Sequence, residues 1–286
     1  MLRIALPNKG RLADEARELF ADAGLDIRTR GDRALTASLG GLFEAIFVRA
    51  GDIPEFVADG IADAGVTGAD LIEESGRQIE TLADLGFGRC RLAVAATDAS
   101  EIDSIDKIPN GARVATSFPR LTKRFFEASG CNVELVPVSG SVEIAPHLGI
   151  ADVIVDLVST GSTLRVNGLH EVATVLESSA RMIAVKNGKS PEVCQALDDL
   201  VAALQSVLRA RGQRYLMANV LRSRLEEVRG VLPGLNGPTV IDIMDGGEHV
   251  AVHAVVPAAS IYSVVAKLKQ LSAEGILVTR IERLMP

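Results

Sequence analysis

Short apolar runs alternate with amphipathic helical patterns along most of the chain, and this alternation limits the possible folds more than any other feature. The first pair is the run Leu2–Leu6, a break at residues 7–10, and a helical pattern that Gly24 ends. The apolar face of that helix holds Leu12, Ala16, Leu19, Phe20 and Ala23. Strand, loop and helix in repeated succession are typical of an α/β domain with a mainly parallel sheet.

The same alternation continues to residue 211. Strands are expected at Phe43–Val48, Ala62–Val66, Arg91–Thr97, Ala112–Thr116, Asn132–Val136, Ile150–Val155, Val172–Leu176 and Met182–Val185. Helices are expected from Asp52 as a cap with Pro54 in the first turn, after Thr67-Gly68, from Pro119 with Leu121, Phe125 and Ala128 aligned, from Ser139, and over Pro191–Arg211. Because 48% of residues are hydrophobic but only 3% are aromatic, the core must consist of Val, Leu, Ile and Ala on buried strands.

A different order of elements follows Gly212, which fits the C-terminal stop of the long helix. The expected elements are a strand at Tyr215–Val220, a helix at Ser223–Val228, strands at Thr239–Met244 and Val250–Val256, a helix carrying Ile261, Val264, Val265, Leu268 and Leu271, and a strand at Ile276–Ile281. Asp245-Gly246-Gly247 predicts a hairpin turn between the two middle strands. The order βαββαβ predicts a ferredoxin-like module.

Composition argues against several classes of function. The formal net charge is −7, so a broad basic surface for nucleic acid is not expected. Cys90, Cys131 and Cys194 lie far apart and the four histidines have no ligand spacing, which argues against disulfides and a zinc site. Neither a secretory signal nor an apolar run of about 20 residues is visible, so a cytoplasmic protein without a membrane span is expected.

The segment Ala151–Leu164 carries the strongest functional pattern. A buried strand is expected to deliver Asp156 to its carboxyl end, where ligands of α/β sheets bind. Four hydroxyl residues then surround one glycine, in the order Ser159, Thr160, Gly161, Ser162 and Thr163. Such a loop can direct backbone N–H groups and hydroxyls at a phosphate, while the carboxylate accepts hydrogen bonds from sugar hydroxyls. The pattern indicates a phosphorylated sugar; the alternative is an ordinary turn rich in helix-capping residues.

Five segments, in their order and spacing, resemble the family of ATP phosphoribosyltransferase, the first enzyme of histidine biosynthesis. They are Pro7-Asn8-Lys9-Gly10-Arg11-Leu12, Arg49–Asp70, Thr116–Pro119, Gly140–Pro146 and Asp156–Leu169. The resemblance covers nearly the whole chain and is most specific from Gly140 to Leu169. The last part of the chain resembles the long form of the family, through Tyr215–Met217, Pro238-Thr239 and Ile276-Leu277.

This resemblance implies two α/β lobes like those of periplasmic binding proteins, with the active site in the crevice, and a C-terminal regulatory domain. The implied boundaries are 1–90 plus 180–212 for lobe I, 91–179 for the phosphoribosyl-binding lobe II, and 213–286 for the histidine-binding domain. The implied reaction condenses ATP with phosphoribosyl pyrophosphate, with Mg2+, to phosphoribosyl-ATP and pyrophosphate. The implied assembly is a homo-hexamer in exchange with dimers, inhibited by histidine.

The resemblance also implies roles for particular residues. Adenine N1 displaces pyrophosphate from the ribose C1 carbon, which requires alignment and charge stabilisation rather than a covalent nucleophile. Asp156 and Glu143 are the expected catalytic residues, on the ribose hydroxyls and the cationic sugar, and Ser159–Thr163 would hold the 5-phosphate. The pyrophosphate and nucleotide side is expected to involve Lys9, Arg11, Arg49, Thr67, Gly68 and Asp70. Magnesium is expected mostly on pyrophosphate oxygens, and Thr239 near bound histidine.

Other interpretations stay open at this point. Glu143 can simply favour a helix N-terminus, the basic residues can be solvated surface charges, and Thr239 can be an ordinary strand threonine. A salvage-type phosphoribosyltransferase also places an acid and a Thr/Ser-Gly-Thr loop after an apolar strand. Those enzymes generally have two adjacent acids there, whereas Val155 precedes Asp156 here. A solute-binding protein would share the two lobes, since fold does not fix function, although most such proteins are exported.

Overall fold

The computed structural model describes residues 1–28, 34–232, 234, 237–243 and 247–285. The strands are β1 (Leu2–Pro7), β2 (Ile27–Arg28), β3 (Thr36–Leu39), β4 (Phe43–Val48), β5 (Ala64–Gly68), β6 (Glu80–Asp84), β7 (Cys90–Thr97), β8 (Ala112–Thr116), β9 (Val133–Pro137), β10 (Val153–Val158), β11 (Leu169–Ser178), β12 (Ala180–Ala184), β13 (Gln213–Leu221), β14 (Thr239–Asp242), β15 (His249–Pro257) and β16 (Glu274–Arg280). The helices are α1 (Arg11–Asp22), α2 (Ile53–Ala58), α3 (Ala69–Ser75), α4 (Pro119–Ala128), α5 (Ser162–Val166), α6 (Pro191–Ala210), α7 (Leu225–Val231) and α8 (Ile261–Gln270).

The chain forms two compact units, Met1–Val201 and Ala202–Pro286, and helix α6 contributes to both. The first unit contains two sheets, with strand orders β2-β3-β4-β1-β5-β12-β6 and β11-β7-β10-β8-β9. We call the part built on the first sheet lobe I and the part built on the second sheet lobe II. The chain crosses to lobe II between β6 and β7 and returns between β11 and β12. The predicted fold of two α/β lobes is confirmed.

The core of each lobe contains a central strand that is buried on both faces. In lobe I, β1 lies parallel to β4 and β5, and its residues Ile4–Leu6 are almost fully buried. In lobe II, β10 lies between β7 and β8, and Val153–Val155 are fully buried. Because side chains of one strand alternate between two faces, such strands need apolar residues at every position. This requirement explains why the central strands were visible in the sequence as continuous apolar runs.

Hydrogen bonds tie the two crossings between the lobes to each other. The N–H of Leu85 donates to the carbonyl of Ala180, and the N–H of Ala180 donates to the carbonyl of Phe87, both at 2.9 Å. The hydroxyl of Ser179 donates to the Asp84 carboxylate at 3.0 Å. The two crossing segments therefore run side by side and form the floor of the crevice between lobes I and II.

The second unit contains a four-stranded antiparallel sheet in the order β14-β15-β13-β16. Its core is formed by buried side chains of the sheet and of helices α7 and α8, among them Leu216, Val220, Val250, Val252 and Leu268. This order is the ferredoxin-like arrangement, so the βαββαβ prediction is confirmed. β14 and β15 pair as the predicted hairpin; Met244, Asp245 and Gly246 lie outside the described residues.

Some local predictions were wrong or incomplete. β2, β3 and β6 were not predicted: β2 and β6 lie at the two edges of the first sheet, and β3 beside β2, where exposed polar residues weaken the apolar signal. Asp52 makes no side-chain cap, because it already has helical dihedral angles at the end of a 3-10 turn. Helix α4 buries Leu121, Thr122 and Phe126, whereas Ala128 is exposed. Thr122 can be buried because its hydroxyl bonds Thr116.

Helix α4 of lobe II is capped by a side chain from lobe I. Its first turn has no acidic residue and its own N-cap, Phe118, makes no side-chain hydrogen bond. The Glu74 carboxylate, at the end of α3, accepts the N–H groups of Arg120 and Leu121, both at 2.9 Å. A carboxylate at a helix N-terminus satisfies free N–H groups and opposes the helix dipole. Glu74 therefore links the two lobes on the α3–α4 side.

Replacing Glu74 by alanine should lower the free energy of unfolding by about 0.5–2 kcal/mol, the usual cost of losing a helix cap. The measurement is urea unfolding followed by circular dichroism. The matched control is Glu73→Ala on the same helix, which loses an exposed ion pair with Arg124 and should cost at most about 1 kcal/mol. Equal losses in the two variants would contradict the capping role.

Candidate functional site

The centre of the candidate site is the bend that follows β10. On one side, β10 pairs in parallel with β8 only as far as Val155 and Thr116. On the other side, it pairs antiparallel with β7 as far as Val158 and Arg91. Asp156 therefore lies inside the strand, not at its end as predicted, because the backbone is still held by β7. It lies beyond the end of β8, so its side chain is nevertheless at the carboxyl edge of the parallel pair.

The bend itself comprises Ser159–Thr163 and leads directly into the short helix α5. Gly161 has φ +72°, a left-handed conformation that favours glycine. Within the described residues, the N–H groups of Thr160, Gly161, Thr163 and Leu164 have no hydrogen-bond acceptor. The hydroxyls of Thr160 and Ser162 bond each other at 2.9 Å. The bend thus presents several unused donors to whatever occupies the space in front of it.

That space is a cavity of about 370 Å³, which we call the bend cavity. It is lined by Glu143, Asp156, Leu157, Val158, Ser159, Thr160, Gly161, Ser162, Thr163 and Leu164. The structure therefore brings together both predicted catalytic carboxylates and all five predicted phosphate-binding residues, which all belong to lobe II. The lining of the cavity therefore combines amide and hydroxyl donors with carboxylate acceptors.

Glu143 reaches the bend cavity from a separate segment. It lies in a 3-10 turn, Val142–Ile144, preceded by Ser141 in a left-handed conformation with φ +51°. A non-glycine residue with positive φ is uncommon and costs energy. The following residues are fastened by His147, whose Nε2–H donates to the carbonyl of Asn167 at 2.6 Å. The segment therefore does not form the regular helix that was expected from Ser139, and it aims Glu143 at the cavity.

Asp156 is an electrostatically unfavourable carboxylate. Burial raises its pKa above the ordinary value of 3.8, and the negative charge of Glu143 raises the pKa further. The N–H of Leu157 donates to Asp156 Oδ1 at 2.8 Å, which acts in the opposite direction. Two acids that repel each other in a half-buried cavity lower the stability of the folded state. They suit a ligand that supplies hydroxyl donors or positive charge.

A second cavity, of about 240 Å³, lies in the crevice between the lobes, and we call it the crevice cavity. Its lining comes from lobe I, from the crossing segment and from lobe II: Arg11, Leu12, Gly68, Asp70, Leu71, Gly88, Arg89, Cys90, Leu157 and Ser159. Leu157 and Ser159 also line the bend cavity, so the two cavities share a wall. Arg11, Gly68 and Asp70 were predicted for the nucleotide side. They line the same cavity as Ser159, which belongs to the bend.

Arg11 and Asp70 are both held by neighbouring groups. Arg11 donates to Glu15 at 2.6 Å, and Glu15 also accepts the N–H of Gly88 from the crossing segment. Burial raises the pKa of Asp70, while the Ser178 hydroxyl and the N–H groups at the start of α3 lower it. The Asp70 charge in turn raises the pKa of Cys90, after the larger effect of burial.

The other predicted residues of lobe I lie near this cavity but do not line it. Lys9 follows β1 and Arg49 follows β4, and these strands are neighbours, so both cations lie at the same edge of the sheet. The structure does not bring the Thr67 side chain to either cavity. Thr67 is fully buried and its hydroxyl donates to the carbonyl of Ala50 at 2.7 Å, which is a packing role.

In the second unit, Thr239 lies exposed on β14 and is paired with His253 of β15. The His253 ring accepts a hydrogen bond from, or donates one to, the Tyr215 hydroxyl. Among the described residues there is no group of three or more His, Cys, Asp or Glu that could hold a metal ion. No helix in the described part of the chain is long and apolar enough to cross a membrane.

Several residues at the site were not predicted. Arg89, Cys90 and Leu157 line the crevice cavity, and Ser178 holds Asp70 from the second crossing. Their positions depend on which strands meet at the crossings, and no local spacing in the sequence reveals this. The sequence offered one signal of this kind. Arg91 is a charged residue in an otherwise apolar segment, and it lies near the start of β7, ahead of the buried residues of that strand.

Comparisons with known proteins match the whole chain. A family model described as HisG, ATP phosphoribosyltransferase, matches residues 49–206, and one described as the HisG C-terminal domain matches residues 210–283. A protein from Gemmatimonas aurantiaca named ATP phosphoribosyltransferase is 66% identical over all of both chains. One of the same name from Methanocaldococcus jannaschii is 44% identical, also over all of both chains. A solved ATP phosphoribosyl transferase (HisG:HisZ) complex from Thermotoga maritima contains a chain 27% identical with TM-score 0.64, covering 73% of this chain and 99% of that one.

The raised pKa of Asp156 gives a prediction for stability. The ionised carboxylate is disfavoured in the folded state, so its unfavourable contribution is complete above the folded-state pKa and disappears as the pH falls toward 3.8. Asp156→Asn should therefore raise the Tm by a few degrees near neutral pH, with the gain shrinking in acid. The check is a series of thermal melts against pH, with exposed Asp106→Asn of lobe II as control. A gain that persists unchanged below pH 3.8 would contradict this cause.

Proposed function

Because the chain belongs to the ATP phosphoribosyltransferase family, we propose that its two adjoining cavities hold the two substrates of that reaction. The enzyme condenses ATP with phosphoribosyl pyrophosphate, giving phosphoribosyl-ATP and pyrophosphate, the first step of histidine biosynthesis. The observation that carries the assignment of sites is the shared wall formed by Leu157 and Ser159. A donor whose phosphate lies at the bend can point its C1 carbon and its pyrophosphate into the crevice.

The bend Ser159–Thr163 is proposed to bind the 5-phosphate. Unbonded N–H groups at Thr160 and Gly161, together with four hydroxyls, supply donors for the phosphate oxygens without any contact from a lysine or arginine. Hydrogen bonds from neutral donors to an anion are stronger than those between neutral groups. This arrangement suits a chain with net charge −7, whose overall field does not attract anions.

Asp156 and Glu143 are proposed as the catalytic residues. Both carboxylates line the same cavity as the bend. In the ground state they accept hydrogen bonds from the ribose hydroxyls. As the bond to pyrophosphate breaks, positive charge develops at C1 and the ring oxygen, and the two negative groups stabilise it. Because this positive charge is absent from the bound donor, the stabilisation is stronger in the transition state than in the ground state.

The nucleotide and the leaving pyrophosphate are proposed to occupy the crevice cavity. Arg11 lies there with its guanidinium oriented by Glu15, and Gly68 lets the backbone approach a ligand. Asp70 borders the same space, and Lys9 and Arg49 at the neighbouring strand ends extend the positive surface. For Thr67 only the backbone is available, since its side chain is buried. In an in-line displacement the adenine N1 approaches C1 on the face opposite the departing pyrophosphate, so the two groups occupy different parts of this space.

Magnesium is proposed as the metal that neutralises the pyrophosphate. The described residues contain no cluster of three or more acidic, histidine or cysteine ligands, and Mg2+ commonly uses substrate phosphates, water and one or two carboxylates instead. The crevice cavity, where the pyrophosphate is proposed to lie, has one carboxylate in its lining, Asp70, which fits a metal held mostly by phosphate oxygens and water. Bound in this way, the ion would supply charge stabilisation to the leaving group.

The second unit is proposed as a regulatory domain that binds histidine, with Thr239 among the contacts, and the working assembly is proposed to be a homo-hexamer in exchange with dimers. The match of residues 210–283 to the C-terminal domain of the family supports this. The boundaries 1–90 plus 180–212, 91–179 and 213–286 stay predictions, as does a cytoplasmic location. The division between the two compact units, at Val201 and Ala202, falls inside helix α6.

Gly161→Val should abolish measurable binding of phosphoribosyl pyrophosphate and transfer to ATP. A Cβ at this position lies 3.1 Å from Arg165 Nη1, so the arginine tip must shift, and the φ of +72° is strained for valine. The control is Gly130→Val in the same lobe, which has φ +71° and no atom within 4 Å of the new Cβ. Both variants suffer a similar backbone penalty, but only the first should lose the donor. Titration calorimetry and a transfer assay measure the two effects; normal donor affinity in Gly161→Val would refute the assignment.

Histidine should inhibit the full chain, and a chain that ends at residue 212 should keep transfer and lose inhibition. Such a chain retains the whole of α6. In the full chain, Thr239→Ala should raise the histidine concentration needed for half inhibition, because it removes one hydroxyl contact worth about 1 kcal/mol, or several-fold in affinity. Rates of phosphoribosyl-ATP formation against histidine concentration give both results. Undiminished inhibition in an active truncated chain would place the regulatory site elsewhere.

A further inference from the structure

The phosphate bend has open space on both sides. In front lies the bend cavity; behind it lies another cavity, of about 430 Å³, lined by Asp98, Gly161, Leu164, Arg165, Leu169, His170 and Glu171. At Gly161, the atoms nearest to an added Cβ are Arg165 Nη1 at 3.1 Å and Glu171 Oε1 at 3.4 Å, closer than the core residue Val158 at 3.9 Å. Charged side chains therefore act on the bend together with packing.

Two arginines reach the bend from behind and donate to its carbonyl groups. Arg91, at the start of β7, donates from Nη1 to the carbonyl of Ser159 at 3.5 Å. Arg165, in the last turn of α5, donates from Nη1 to the carbonyl of Thr160 at 3.4 Å. Both hydrogen bonds are long, so each is adjustable rather than rigid.

Glu171 of β11 fixes the first of these arginines. It accepts from Arg91 Nε at 2.7 Å and also from Nη2 of the same guanidinium. This two-pronged pairing leaves Nη1 as the group directed at Ser159. Glu171 Oε1 is also 3.4 Å from the position that a Cβ on Gly161 would take. Arg91, Arg165 and Glu171 thus form one cluster behind the bend, which we call the arginine buttress.

The carbonyls that the buttress holds determine where the phosphate-binding N–H groups point. The carbonyl of Ser159 and the N–H of Thr160 belong to one planar trans peptide, in which the two groups point in opposite directions. The carbonyl of Thr160 and the N–H of Gly161 form the next such peptide. Drawing both carbonyls backward therefore turns both N–H groups forward. These are two of the N–H groups that have no acceptor within the described residues.

We infer that Arg91 and Arg165, with Glu171 holding Arg91, are positioning residues that set the phosphate-binding conformation of the bend. The inference rests on the proposed function, since it assigns them to the 5-phosphate end of the donor. They act through the backbone of residues 159–161 and touch neither the sugar nor the nucleotide.

The buttress requires the shape of arginine and not only its charge. One guanidinium fork spans the Glu171 carboxylate with Nε and Nη2 while Nη1 reaches Ser159. A lysine ammonium has the same charge but only one nitrogen, so it cannot hold the carboxylate bidentately and reach the carbonyl as well. Arg91→Lys should therefore disturb the conformation of the bend nearly as much as Arg91→Met, which removes the charge as well.

The test measures binding of ribose 5-phosphate and of ATP separately, by titration calorimetry on the full chain. Arg91→Lys, Arg165→Met and Glu171→Gln should each weaken ribose 5-phosphate binding about tenfold, the effect of losing one charge-assisted hydrogen bond, and leave ATP binding unchanged. The KM for phosphoribosyl pyrophosphate should rise by the same factor, with kcat largely kept. Glu127→Gln is the control, because it also removes a glutamate charge of lobe II, from an exposed pair with Lys123.

The outcomes separate the buttress from the site itself. Wild-type affinity for ribose 5-phosphate in both Arg91→Lys and Glu171→Gln overturns the buttress and leaves the proposed function standing. Equal weakening of ribose 5-phosphate and ATP, with a lower Tm, overturns it as well, because that pattern means general damage to the lobe. A wild-type chain that binds ATP but not ribose 5-phosphate overturns the phosphate site on which the buttress depends.

Discussion

Strand β10 is paired for a longer distance on one side than on the other, and the site depends on this difference. Pairing with β8 stops at Val155, which frees one edge of the chain, while pairing with β7 to Val158 keeps the backbone fixed. Asp156 can therefore be half-exposed and still precisely held, and the bend starts from a fixed point. If both neighbours ended together, the acid would lie on a loose turn; if both continued, it would be buried in the sheet.

Because the chain has a net charge of −7, it must attract a highly charged anion with groups that lie close to the binding site. Here the phosphate end is made of backbone N–H groups, which carry no net charge and need no counter-ion. The cations lie elsewhere: Arg91 and Arg165 are behind the bend, and Arg11 is in the crevice. The carboxylates Asp156 and Glu143 line the same cavity as the bend, and the proposed function assigns them to the sugar and the bend to its phosphate. This division of roles would fix the direction in which a sugar phosphate enters.

What the sequence could predict follows from how far apart the interacting residues are in the chain. The acid and the bend are contiguous, so Asp156 and Ser159–Thr163 formed a visible pattern, and the central strands were visible because both faces are apolar. Arg91 and Glu171 are 80 positions apart, and Glu74 caps a helix 46 positions later; such pairs depend on strand order, which one sequence does not reveal. Thr67 was predicted for the nucleotide side only because of the segment in which it lies. The structure shows instead that its hydroxyl points inward and donates to the carbonyl of Ala50. Edge strands such as β6 have little apolar surface to mark them.

The two cavities differ in what they require of the lobes. Every residue that lines the bend cavity belongs to lobe II, so its shape is independent of the separation between the lobes. The crevice cavity takes Arg11 and Asp70 from lobe I and Ser159 from lobe II, so its shape depends on the separation between the lobes. The paired crossings and the Glu74 cap on α4 both connect the lobes and restrain that separation. In the proposed function, the site for the sugar phosphate therefore belongs to one lobe, whereas the transfer site requires both lobes and is sensitive to how they are held.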